Sequence, residues 1–71
     1  MHDAYIPDAF DIHSVVGWTL AEAKAEYKKY GLFPRVVCEN GVGRAITLEL
    51  RRDRVNVEVE SGKVSKVIDI G

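Results

Sequence analysis

The chain has 71 residues, 46% hydrophobic and 30% charged, the balance of one small globular domain and not of a disordered segment. A chain of this length buries only roughly 60% of the surface it exposes when unfolded, so its core is thin and little is left to wall a catalytic cleft. Ten Lys and Arg against eleven Asp and Glu give a formal net charge of -1, which withholds the basic surface that sequence-independent nucleic-acid binding requires.

Residues 1–14 carry Pro7, two histidines and three aspartates without a clear period and read as an N-terminal arm, docked in part through Tyr5, Ile6 and Phe10. The arm lacks a basic region followed by an apolar run, so no secretory signal is visible and a cytoplasmic or mature secreted form is expected. No apolar stretch approaches the ~20 residues of a membrane span.

Residues 15–71 read as a single domain. After Val15-Val16-Gly17, the stretch Thr19-Leu20-Ala21-Glu22 is a capping box, with the threonine hydroxyl and the glutamate each satisfying an amide of the other. It predicts a helix over Thr19–Tyr30, rich in Ala, Glu and Lys, with a narrow apolar face of Leu20, Ala23, Tyr27 and Tyr30. Gly31 supplies a left-handed cap, and Pro34 blocks continuation. Arg35-Val36-Val37-Cys38 predicts a buried strand in which Cys38, the only cysteine, serves as a small hydrophobe, leaving the fold free of disulfides. Glu39 to Arg44, with two glycines, is loop chemistry, and Ala45 to Leu50 is extended by composition.

Arg54-Val55-Asn56-Val57-Glu58-Val59-Glu60 alternates without a break: a strand with its valines to the core and its polar groups to the other face. Ser61-Gly62 predicts a tight turn, and Val64 to Ile70 a last strand. The long connection between the first two strands allows them to lie parallel, and the last two form a hairpin. The expected fold is α+β: one helix on a small mixed sheet, with a long exposed loop between the first two strands.

Catalytic and ligand chemistry find little footing. No Ser/His/Asp or Cys/His set stands out, so no enzyme is expected. His2 and His13 have no partners at ligand spacing, and Gly41-Val42-Gly43 lacks the third glycine and strand-turn-helix context of a dinucleotide loop, so neither metal nor cofactor is expected. Arg51, Arg52 and Arg54, interrupted by Asp53, suit a solvated charged face. Ile46, Leu48 and Leu50 alternate, as a half-buried edge strand would, and Trp18 suits a packing residue or a second contact surface.

The run Ile46-Thr47-Leu48-Glu49-Leu50-Arg51-Arg52-Asp53-Arg54-Val55 resembles the reactive loop and following strand of the potato inhibitor I family of serine protease inhibitors. Val15-Val16-Gly17, Thr19 and Ala23 extend the likeness, which covers roughly residues 15–71 with a one-residue insertion between helix and first strand. It implies that Arg44, Ala45, Ile46, Thr47, Leu48, Glu49 and Leu50 form a protease-binding loop with Leu48–Glu49 as the reactive bond. The implied partner is a serine protease with a deep apolar pocket, of the chymotrypsin, subtilisin or elastase type. The implied loop supports are Arg54, paired with Thr47 or Glu49; residue 56; and Arg51, directed to the terminal carboxylate on Gly71.

This sequence departs from the family pattern at the second bracing arginine, which is Asn56, and at the proline ahead of the threonine, which is Ala45. Asp53-Arg54-Val55-Asn56-Val57 is similar to a related group of bacterial and fungal elastase inhibitor-like proteins, which carry asparagine there and commonly a cysteine pair that this chain cannot form. These differences, with Gly41, Gly43 and the charge of Arg44 nearby, predict a looser loop. Two functions follow as expectations: a protease inhibitor, or a non-inhibitory protein-interaction module on the same fold. The oligomeric state is not legible in the sequence.

Overall fold

The structure, a computed structural model, describes residues 10–71; Tyr5 and Ile6 of the expected arm lie outside them. A 3-10 turn over Ile12–Val15 leads to helix α1, Leu20–Lys28. Its start is the expected capping box: Thr19 Oγ1 accepts from the Glu22 amide at 3.2 Å, and Glu22 Oε1 accepts from the Thr19 amide at 2.9 Å. The helix stops short of Tyr30 because the chain closes on itself first. The Gly31 amide donates to Lys28 O and the Leu32 amide to Tyr27 O, with Gly31 at φ +73°, a Schellman closure that seats Leu32 in the core.

Four strands form one mixed sheet in the order β2-β1-β3-β4, with β1 at Phe33–Glu39, β2 at Val42–Gly43, β3 at Arg54–Glu60 and β4 at Lys63–Ile70. β1 and β3 are parallel, while β1–β2 and β3–β4 are antiparallel. The stretch Glu39–Arg44 is therefore more than a loop. Asn40 and Gly41, at φ +51° and +80°, make a tight turn between β1 and β2 of the kind that asparagine-glycine pairs favour. Ser61 and Gly62 turn the β3–β4 hairpin in the same way, and Asn40 Oδ1 accepts from the Ser61 amide at 2.8 Å, tying the two turns together.

Ala45–Leu50, read from composition as extended, joins no strand; every residue from Asn40 to Arg52 is exposed. The edge-strand reading of Ile46, Leu48 and Leu50 fails for that reason. Cys38 is half-buried and not a core residue, and Trp18 is 39% exposed.

Alternation in β3 sends Val55, Val57 and Val59 to the helix side, and two register shifts against β4 let Val64 and Val67 meet them despite a spacing of three. They pack with Val15, Ala23, Tyr27 and Leu32 to form the core. Tyr27 is fully buried, and its hydroxyl donates to Ile12 O at 2.6 Å, fastening the 3-10 turn. Phe10 meets Tyr27 edge-on and stacks on Tyr30 at 4.0 Å between ring centres.

Burial, assisted by the nearby Asp11 charge, pushes the Tyr27 hydroxyl from 10.0 up to about 12. The neutral phenol thus contributes stability that is complete below pH 10 and is lost as pH climbs toward 12. Denaturant titrations across this range should show a decline of up to about 1.4 kcal/mol per pH unit that Tyr27→Phe removes. At neutral pH the same variant should lose about 1 kcal/mol with its hydrogen bond to Ile12.

Candidate functional site

The sheet face opposite the helix carries the polar residues of β1, β3 and β4, and the exposed segment 44–53 runs between β2 and the start of β3. Its start is tied to β1: the Arg44 amide donates to Val37 O at 2.9 Å, and the Arg44 side chain pairs with Glu39. Its end is tied to the other end of β1. The Phe33 amide donates to Asp53 O at 2.8 Å, and the Arg51 guanidinium lies 5.3 Å above the Phe33 ring.

Between these anchors two guanidinium groups reach the segment from neighbouring strands. Arg54, only 5% exposed at the first position of β3, donates through Nη2 to Glu49 O at 2.7 Å, and its Nη1 lies 3.7 Å from the Glu49 carboxylate. Arg35, on β1, donates through Nη1 to Thr47 O at 3.1 Å and lies 3.4 Å from Thr47 Oγ1. The Thr47 hydroxyl donates to Glu49 Oε1 at 3.1 Å. The carbonyls on either side of Leu48 are thus both held, while the Leu48 side chain is 92% exposed and Leu50 89%. Guanidinium groups suit this work because their donors project from one rigid plane that carries its charge at every accessible pH.

Arg35 is the residue that sequence reasoning missed. Parallel pairing sets Arg35 beside Asn56, and Asn56 Oδ1 accepts from Arg35 Nε at 2.9 Å. The position on β3 that the family pattern gives to a second arginine holds a short amide that steers an arginine from the adjacent strand. The long connection between the first two strands allows parallel pairing, but only their register sets Arg35 beside Asn56.

Arg51 departs from expectation. Its guanidinium does not hold the Gly71 terminus but makes two parallel bonds to the Asp53 carboxylate, both at 2.9 Å. That pairing holds the Asp53 carboxyl below the usual carboxylate range. The backbone oxygen of Gly71 instead accepts from Arg54 Nη2 at 2.9 Å and from the Arg51 amide at 3.2 Å, and the Gly71 amide returns a bond to Arg54 O. Ala45 and Ile46 lie in the exposed segment, with Ile46 44% exposed. Among the described residues no group of three His, Cys, Asp or Glu could hold a metal, and no helix is long and apolar enough to cross a membrane.

The two arginines differ in cost of removal. Arg54→Met should lower the unfolding free energy by about 2–3 kcal/mol, since hydrogen bonds to a charged group contribute about 1.5–3 kcal/mol each and this one is buried. Arg35→Gln, at a half-buried position, should cost about 1 kcal/mol or less. Urea titrations of both variants check the order.

Comparison of the chain with protein-family models, with curated proteins and with solved structures finds no match to any of them.

Proposed function

We propose that the protein is a reversible inhibitor of serine proteases that presents Leu48–Glu49 as a substrate-like bond in a segment held rigid from below. The observation that carries this reading is the pairing of a 92% exposed Leu48 side chain with flanking carbonyls fixed by Arg35 and Arg54. An extended peptide bound by a protease ordinarily loses conformational freedom on docking; a braced one has lost most of it already, so more of the contact energy appears as affinity.

Rigidity also acts after acyl transfer. When the nucleophilic serine attacks the Leu48 carbonyl, the leaving group is the Glu49 amine, and Glu49 is held through its own carbonyl by Arg54. An amine kept beside the acyl-enzyme favours religation over loss. Leu48 suits a deep apolar primary pocket of the chymotrypsin, subtilisin or elastase type and does not suit a pocket bearing a carboxylate.

The fold is compatible with this reading. A helix packed on one sheet face, a parallel strand pair joined through an exposed segment and a closing hairpin are the arrangement that the potato inhibitor I resemblance implies. The second arginine comes from β1 instead of β3, so the looseness expected from Asn56 is offset by a brace of different origin. No catalytic role is proposed.

Purified chain titrated against subtilisin and chymotrypsin should inhibit with one-to-one stoichiometry, with slow cleavage confined to Leu48–Glu49. Leu48→Asp should raise the inhibition constant by about 30- to 1,000-fold, the range of an interface hot spot. Rapid turnover as an ordinary substrate would overturn the proposal. Absence of both inhibition and cleavage would favour a non-inhibitory interaction module on this fold.

A further inference from the structure

We infer that Asp69, on the far strand of the sheet, is a positioning residue of the exposed segment, acting through Asn56 and Arg35 to fix the Thr47 carbonyl. As a device for the Leu48–Glu49 bond this rests on the proposed inhibitory function; as a device for ordering the segment it stands on geometry alone.

Asp69 Oδ1 accepts from Asn56 Nδ2 at 3.0 Å, Asn56 Oδ1 accepts from Arg35 Nε at 2.9 Å, and Arg35 Nη1 donates to Thr47 O at 3.1 Å. The chain crosses three strands through direct cross-strand neighbours, since Asn56 pairs with Asp69 on one side and with Arg35 on the other. Its polarity is fixed by chemistry. A carboxylate only accepts and a guanidinium only donates, so the amide between them satisfies both in one orientation and neither when flipped. With Nε held by Asn56, the guanidinium plane is set, and the remaining donors are aimed instead of free to rotate.

The register of β4 delivers Asp69 to this chain. Regular alternation would place Asp69 on the same face as Val67, which is 4% exposed in the core. The shift between the Asn56–Asp69 and Val57–Val67 pairs leaves Ile68 unpaired and turns Asp69 to the opposite face, beside Asn56. Gly71 backs onto the same place, where a Cβ would lie 3.5 Å from Asn56 Nδ2.

The test compares Asp69→Ala, Asp69→Asn, Asn56→Ala, Arg35→Gln and the double variant D69A/R35Q with the parent chain. Nitrogen-15 relaxation and amide exchange at Thr47, Leu48 and Glu49 report order in the segment, and cleavage by excess subtilisin reports access to the Leu48–Glu49 bond. D69A and N56A should speed exchange and cleavage by about three- to tenfold, the worth of one ordinary hydrogen bond, since the Asn56–Asp69 contact is exposed to solvent. Asp69→Asn, which keeps an acceptor, should restore most of the order, and D69A/R35Q should be no looser than R35Q. A parent-like segment in D69A, or additive effects in the double variant, would overturn the inference. Relaxation and exchange need no inhibited protease. A chain that inhibits nothing yet loosens in D69A refutes the inhibitory function and supports the relay; one that inhibits but is indifferent to D69A refutes the relay.

Discussion

The arrangement of the polar face depends on one buried cation. Arg54 sits where β3 begins, and its Nη2 is shared between Glu49 O and Gly71 O, joining the exposed segment to the far end of β4 through a single nitrogen. Burying a guanidinium is costly unless it is hydrogen-bonded. Here the acceptors are backbone carbonyls of two segments that the Arg51 amide also ties together at Gly71 O, and Arg54 Nε is left buried without a partner. The desolvation is thus met by the chain path, which brings the carbonyls of residues 49 and 71 to the same point, and by the Glu49 carboxylate 3.7 Å from Nη1.

That path is possible because the two sheet faces are kept apart chemically. The valines of β3 commit one face to the helix, so Arg54, Asn56 and Glu58 fall on the other by the pleat. β4 cannot follow the same period, since its apolar residues recur at threes, and the two register shifts against β3 reconcile the patterns. One of those shifts also turns Asp69 toward Asn56. Core packing and loop support are therefore set by the same irregularity. Changing the register of β4 by one residue would alter both.

Much of this was legible in the residues. The capping box, the Gly31 closure, the valine alternation of β3 and the Ser61-Gly62 turn are local devices whose physics is contained in a few consecutive positions. The length of their connection left the first two strands room to lie parallel, as they do. Other features depended on distant partners. Composition favours extension at Ala45–Leu50, but extension becomes a strand only when a neighbour supplies a ladder, and none does. Arg51 was placed at Gly71 on resemblance, whereas Asp53, two residues away, captures it with two parallel bonds. Arg35 escaped notice because its role needs the register of β1 against β3, a relation that no local pattern carries.

The borders of the sheet have a consequence for behaviour in a crowded solution. Beyond the two residues that β2 covers, β1 has an open side, and Pro34 lies on it. The Phe33 amide points toward Asp53, so the Pro34 nitrogen faces outward, where it offers no donor to an incoming chain. On the other border, residues 17–20 already occupy the start of β4 through bonds to Gly62 and Val64. The rest of that border is kinked by two bulges. A strand from a neighbouring molecule would meet a missing donor on one side and a broken, partly filled ladder on the other. A domain with eight valines in its strands is in this way guarded against adding itself, strand by strand, to another copy.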